Sequence, residues 1–462
     1  MKAKLGLLKE EDMSLATDLY QLTMMACYIK DKKNNTATFD MFVRKLPETR
    51  NYLVAAGLEQ VVAFLQNTRF NEDDIMYLRS QGFFDEEFLD YLKDWKFSGD
   101  VYAVPEGTVV FNNEPLLRIT APRAEAQLVE SYILSMINYQ TAVASKASRI
   151  VEAAEGKPII DFALRRCHGP GAAHLEARAA YIGGCAGTSN VAAGKEFGIP
   201  VKGTMAHALV MSYNDETESF KAFTDTFKNT KLPLVLLIDT YDTLEGAKNA
   251  VKIAKELEKE GKKLAGVRLD SGDLTELSKK VRQIFDDAGL NYVNVFASND
   301  LNEYKIQQML KDGAQINAFG VGTEMGVSKD APALSGVYKL AEDIDEKGNL
   351  IPKIKLSEGK ITYPGKKQIY RITENGKFSK DILALESEVI EGEPLLIKIM
   401  DKGKMTYELP SLEQIRNRTL EQVGKLPSEY KSLQNTNYNV EISNGLQKLT
   451  NKLIEDYKRG KK

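Results

Sequence analysis

Between Lys157 and Thr323 the chain alternates apolar runs of strand length with amphipathic runs of helix length, and that alternation leaves few folds open. "PLVLLIDTYDT" (233–243) is followed by "LEGAKNAVKIAKELEKEGKK", whose apolar and small residues recur at helical spacing up to a stop at Gly261. "LAGVRLDSGDL", "TELSKKVRQIFDDAG", "YVNVFASND", "LNEYKIQQMLKDGA" and "INAFGVGT" continue as strand, helix, strand, helix, strand. Two more strand candidates, "KPIIDFALRR" and "IPVKGTMAH", precede these, separated by the alanine-rich "GAAHLEARAAYIGG" and by "TSNVAAGKEFG". Six strands joined by short crossovers imply parallel pairing with helices outside, as a doubly wound sheet or as a barrel.

Each strand is apolar until its C-terminal end and polar there: Asp161 and Arg165, Thr204 and His207, Asp239 and Asp242, Arg268 with Asp270 and Asp273, Ser298 with Asn299 and Asp300, Gly320 with Gly322 and Thr323. Parallel α/β folds carry their sites on that face. Asp and Ser also cap helices, and capping alone would account for Asp242 or Asp273. It does not account for the arginines, because a guanidinium pairs with carboxylate or phosphate. "FGVGTEMG" sets two glycines and a threonine after the last strand, where barrels build phosphate loops, although a plain glycine turn reads the same way. A ligand with a phosphate and an anionic or polar head is implied. No GxxxxGK[ST] is present, so ATP, if used, is not held by a P-loop. His207 is one of three histidines and stands where a strand should end; the residues alone leave it open between chemistry and a satisfied core position.

The 462 residues suffice for two or three cores. A net charge of −3 with scattered Lys and Arg argues against a nucleic-acid partner. "MKAKLGLLKEEDMSLATDLY" lacks the apolar stretch of a leader and no run approaches a membrane span, so a cytoplasmic location is expected. Cys27, Cys167 and Cys185 form no CxxC pair and read as small buried residues. Residues 1–120 read as an N-terminal α+β part, with "DLYQLTMMACYI", "TATFDMFVRKL" and "VYAVPEGTVVFNNEPLLRIT". Residues 121–330 open with a long helix and hold the βα alternation. Residues 331–462 begin with short β-prone pieces ("GVYKLAEDI", "PKIKLS", "KKQIYRIT"), expected to pack with the N-terminal part, and end in a helical tail whose basic "KRGKK" is expected to be solvated.

"ATDLYQLTM", "DFALRR", "RAAYIGGCAGTSNVAAGKEFGIPVKGTMAH", "IDTYDTL", "GVRLDSGDL", "SNDLNE" and "FGVGTEMG", in that order from about Thr17 to Gly326, resemble the nicotinate phosphoribosyltransferase family. The resemblance implies an irregular parallel α/β barrel with an additional α+β domain, acting as a homodimer. It further implies an enzyme that joins nicotinate to phosphoribosyl pyrophosphate, giving nicotinate mononucleotide and pyrophosphate, with ATP hydrolysis coupled through a transient phosphohistidine at His207.

Other roles follow from the same resemblance. Tyr20, supplied by the second copy, and Phe162 would hold the two faces of the pyridine ring. Arg165, Thr204 and Arg268 match contacts to the nicotinate carboxylate and ribose phosphate. Asp239, Asp270 and Asp300 match acidic positions around ribose and pyrophosphate, where Mg²⁺ would be held mainly by pyrophosphate, with no protein metal ligand assigned. Gly322 and Thr323 match the 5′-phosphate loop, and Arg44 a pyrophosphate contact from the second copy. Ser189 aligns with an aspartate of the nicotinamide-using relative and therefore favours nicotinate, leaving nicotinamide as the alternative substrate. Ala208 and Ala186 depart from the family pattern, where serine and an acidic residue are usual. His168 and His174 read as bland. A Schiff-base aldolase would want a strand-end lysine, and Lys202 comes too early. A quinolinate-using enzyme would need extra basic residues, and a non-catalytic sugar-phosphate-binding barrel would show no turnover.

Overall fold

In the computed structural model, which describes residues 7–357 and 359–460, the chain forms two compact units: residues 146–330, and residues 1–145 together with 331–462. The boundary falls inside the helix Glu130–Ala153, so residues 121–145, placed by the sequence with the alternating segment, count with the other unit. Neither Gly nor Pro interrupts that helix, and nothing in its sequence marks a break.

Residues 146–330 form an α/β unit. Strands β1 (Ile159–Asp161), β2 (Gly187–Thr188), β3 (Val235–Leu237), β4 (Gly266–Leu269), β5 (Asn294–Ser298) and β6 (Ala318–Val321) make one parallel sheet in the order β2-β1-β6-β5-β4-β3. The connections carry α1 (Pro170–Ile182), α2 (Val191–Phe197), α3 (His207–Met211), α4 (Glu216–Phe227), α5 (Thr243–Lys259), α6 (Leu274–Asp287) and α7 (Glu303–Lys311), and α8 (Thr323–Gly326) follows β6. Leu236, Leu237, Val267, Leu269, Val295 and Val321 are all buried. Burial on both faces is why these strands read as continuous apolar runs rather than as alternating ones. Helix α5 turns Ala247, Ala250, Ile253, Ala254 and Leu257 inward. Gly246 lets it close on the strand below, since a Cβ there would lie 2.1 Å from the Ile238 carbonyl oxygen. Asp242 accepts the N–H groups of Leu244 and Glu245, both at 2.9 Å, and Asp273 that of Glu276 at 3.1 Å, so these two strand-end carboxylates do cap helices.

The structure corrects three local expectations. "IPVKGTMAH" is not a strand: it contributes one parallel bridge, Val201 to Thr188, and His207 opens α3 instead of ending an extended segment. β1 stops at Asp161, whose carboxylate takes the Ala163 N–H at 2.7 Å and turns the chain into a 3-10 helix over Leu164–Arg166. The two-residue β2 lies between two strand candidates, where the sequence predicts no strand. Val201, beyond β2, and Val235 of β3 line one cavity, so both sheet edges face the same space. Among the described residues no ladder joins those edges, so the α/β class holds while a hydrogen-bonded closed ring is not seen.

The other unit is built from both ends of the chain. Its seven-stranded antiparallel sheet runs Leu350–Pro352, Gly336–Ile344, Thr36–Val43, Pro115–Pro122, Asp100–Ala103, Ile397–Asp401, Lys404–Met405. Met41 pairs with Tyr338 on one side and Leu117 on the other. A smaller sheet contains Lys367–Glu374 and Lys377–Leu385. Buried ion pairs, Lys367 with Asp40 at 2.7 Å and Arg371 with Asp381 at 2.6 Å, replace water around these charges. Of "PKIKLS" only Pro352 is in a strand. Helices Leu412–Lys425 and Asn444–Lys458 close the chain, and the last two lysines of "KRGKK" lie outside the described residues. Cys27 is exposed and Cys167 half-buried, leaving only Cys185 buried as expected. Cys27 falls off the face of its helix that buries Gln21, Leu22 and Met25. Among the described residues no helix is long and apolar enough to cross a membrane.

Candidate active site

A cavity of about 370 Å³ opens among the strands of the parallel unit, and Phe162, Thr204 and Arg268 line it together with Gly320. Phe162 follows β1 directly and lies over Gly320, where a Cβ would meet its ring at 2.4 Å. The Arg268 guanidinium lies 5.9 Å from the Phe162 ring centroid. Its Nη2 donates to the Met205 carbonyl at 2.9 Å, while its Nε is buried without an acceptor. Burial lowers the Arg268 pKa, Asp270 and Asp239 oppose that, and the nearby charge of Arg165 lowers it further. A buried guanidinium with an unpaired donor beside an apolar cavity calls for an anion.

Next to this cavity the ends of β3 and β4 bring three predicted residues together. His207 Nε2 lies 3.7 Å from Asp270 Oδ2 and 4.0 Å from Asp239 Oδ1. Its Nδ1 lies 3.0 Å from the Thr240 hydroxyl. Asp239 is locked by the Asp270 N–H at 2.7 Å and the Ser271 hydroxyl at 2.6 Å, both on Oδ2, while its Oδ1 is buried with no hydrogen-bond donor. Ser298 donates to Asp270 Oδ1. Adjacent carboxylates favour the tautomer with the proton on Nε2, in which Nδ1 accepts the Thr240 hydroxyl hydrogen.

The remaining candidates are more dispersed. Arg165 is exposed on the turn after β1 and Ser189 half-buried after β2, neither lining the cavity. Asp300 is exposed, and Asn299 and Asp300 both hold positive φ, 118° and 36°, a backbone cost of roughly 1–3 kcal/mol each that usually persists only at functional turns. Gly322 precedes α8, where a Cβ would lie 3.2 Å from the Phe162 carbonyl oxygen, and Thr323 begins that helix. Sequence reasoning missed Thr240 and Ser271 as supports, although both sit beside the polar strand ends, and picked out Ser298 only as a polar strand end. Lys202, set aside as too early, lines the cavity as an exposed residue. Among the described residues no three His, Cys, Asp or Glu side chains converge as metal ligands.

Three family models match the chain in order: the nicotinate phosphoribosyltransferase N-terminal domain over residues 15–138, the nicotinate phosphoribosyltransferase family over 158–342, and the C-terminal domain over 390–450. A nicotinate phosphoribosyltransferase of Mycobacterium tuberculosis is 45% identical over 433 residues, covering 93% of this chain and 91% of the relative. The chain belongs to the nicotinate phosphoribosyltransferase family. A second family member, from Bacillus subtilis, is 40% identical over 92% of this chain and 91% of its own. The crystal structure of human nicotinic acid phosphoribosyltransferase superposes with a TM-score of 0.82 at 27% identity, covering 95% of this chain and 99% of that one. The nicotinate phosphoribosyltransferase core match contains every candidate from Phe162 to Thr323, and the N-terminal match contains the other two, Tyr20 and Arg44. Tyr20 is 48% exposed on the helix Leu19–Lys30. Arg44 follows the strand Thr36–Val43, 5.9 Å over the Phe42 ring, with Nε and Nη2 buried and unpartnered.

Proposed function

We propose that this chain transfers the phosphoribosyl group of phosphoribosyl pyrophosphate to the ring nitrogen of nicotinate, releasing nicotinate mononucleotide and pyrophosphate for NAD biosynthesis. The observation that carries the reading is Arg268, whose unpaired Nε stands beside Phe162 and Thr204 in a cavity suited to a flat ring that brings its own anion. Membership of the family, and the names of the two bacterial relatives, support it. Phe162 would stack on the pyridine, about 0.5–1.5 kcal/mol beyond burial. Arg268 and Arg165 would take the carboxylate. Ser189 puts a hydroxyl where a carboxylate would repel nicotinate.

In the reaction the pyridine nitrogen bonds to the anomeric carbon as the bond from that carbon to the pyrophosphate oxygen breaks, through an oxocarbenium-like transition state. The protein's share is positioning and fixed charge. Asp239, Asp270 and Asp300 would surround ribose and pyrophosphate, with Gly322 and Thr323 at the 5′-phosphate. Tyr20 and Arg44 would act from the second copy of a homodimer; the exposure of Tyr20 supports this. The unpaired Oδ1 of Asp239 fits a divalent cation, which Asp239 and Asp270 would hold beside substrate phosphate oxygens. Bound there, Mg²⁺ supplies neutralisation of pyrophosphate charge. ATP would phosphorylate the imidazole of His207, ADP departing, and water would later take the phosphoryl group as phosphate.

The test is release of ADP and mononucleotide with ATP and Mg²⁺, comparing nicotinate with nicotinamide, with and without phosphoribosyl pyrophosphate, in wild type, His207→Ala and Ser189→Asp. Both products from nicotinate are expected in wild type, with ADP lost in His207→Ala and nicotinamide use gained in Ser189→Asp. Nicotinamide turnover by wild type, or CO₂ release from quinolinate, would overturn the substrate; unchanged ADP in His207→Ala would overturn the phosphohistidine.

A further inference from the structure

Helix α1 carries a glutamate that the mechanism above does not use. Glu176 is fully buried, and as an anion neither of its oxygens has a donor in reach. The charge that bears on it is that of Asp161, the last residue of β1, itself fully buried. Asp161 already has donors: its Oδ1 accepts the Ala163 N–H at 2.7 Å and its Oδ2 the Thr188 hydroxyl. Its carbonyl accepts the Ser189 N–H at 2.9 Å. Thr188 Oγ1 in turn accepts the Asn190 N–H at 2.9 Å, and the Asn190 amide donates back to Ala173 of α1 at 3.1 Å. One strand-end residue therefore ties down two turns, the one that carries Phe162 and Arg165 and the one that carries Ser189.

Two carboxyl groups in contact and away from solvent do not both ionise. The N–H and O–H on Asp161 favour its anion, so the proton falls to Glu176, whose O–H then finds its acceptor in Asp161. Burial first, and then the Asp161 charge, push the Glu176 pKa well above the ordinary glutamate range. Asp161 is raised by burial as well, opposed by its bonds to Thr188, Ala163 and Glu176.

We propose that Glu176, protonated and donating to Asp161, is a positioning residue of the nicotinate pocket that fixes the turns after β1 and β2. This rests on the nicotinate reading given above. Ionisation of Glu176 sets two buried anions against each other and loosens both turns. A raised folded-state pKa makes the contribution complete below the ordinary glutamate value of about 4.3 and progressively lost as pH rises toward and through the raised value.

Nicotinate KM and kcat, and Tm, are to be measured from pH 6 to 10 for wild type, Glu176→Gln and Glu176→Ala. Expected are a wild-type KM that climbs on the alkaline side with kcat little changed, and a Glu176→Gln enzyme, with a neutral donor at every pH, in which both that climb and the matching fall in Tm flatten. Glu176→Ala should raise KM by about tenfold or more, as misplaced contact groups do, with Glu176→Gln restoring it. An alkaline limb in Glu176→Gln identical to that of wild type in both KM and Tm sinks the proposal. Absence of nicotinate turnover in wild type sinks instead the functional reading beneath it, and the Tm profiles still report whether the carboxyl pair shares a proton.

Discussion

Arg268 reaches the cavity with one donor committed to Met205 and another without an acceptor, so its planar fork is already oriented for an anion before any ligand arrives. Arg268→Lys keeps the charge but loses the fork; kcat/KM for nicotinate should fall about ten- to a hundredfold, the range of one charged hydrogen bond. Steady-state kinetics on the purified variant, with a melt to confirm folding, check this, and a fall below threefold would remove Arg268 from the carboxylate site. At this scale the sequence was most legible where chemistry forbids a cheaper explanation. Arginine at a strand end stood out because it cannot cap a helix, and His207 because histidine is scarce. Thr240 and Ser271 escaped because a hydroxyl beside an aspartate looks like any polar turn, and Glu176 because a glutamate in a helix looks solvated until the fold buries it.

At the scale of elements, the distinction between a strand-end carboxylate that works and one that caps is drawn by backbone geometry. Asp242 gives its oxygen to two N–H groups at the start of α5, whereas Asp239, three residues earlier, leaves one oxygen unpartnered. Asp242→Ala should therefore cost about 1 kcal/mol and lower Tm by roughly 2–4 °C, with kcat/KM within about twofold of wild type. A large loss of activity with Tm unmoved would place Asp242 in the site instead. The long amphipathic helices and apolar strands were readable because their periods span many residues. β2 has two residues and no period, and "IPVKGTMAH" has the β-branched and apolar content of a strand but forms only one bridge, so composition alone misled there.

For the whole molecule, the pairing of remote segments matters most. Thr36–Val43 has Gly336–Ile344 on one side, and Asp100–Ala103 has Ile397–Asp401 on one side. A chain ended at Asp330 would leave two strands of that sheet with bare edges and uncover the stacked Phe39–Tyr338 position. Such a truncation should show no cooperative melt for this unit by circular dichroism and should aggregate on size exclusion; a sharp transition like that of the full chain would contradict the pairing. No local pattern encodes which of several β-prone runs become neighbours across some 300 residues, because that choice depends on loop-closure entropy and on faces that match only after folding. The same arrangement sets a timetable during synthesis. At about 5–20 residues per second a ribosome needs roughly 15–60 s between releasing Asp100–Ala103 and releasing Ile397–Asp401. The parallel unit, whose strands all lie within residues 146–330, emerges whole in that interval, while the first-made strands wait with open edges. The amino-terminal segment is thus the part of the nascent chain with the greatest call on chaperones.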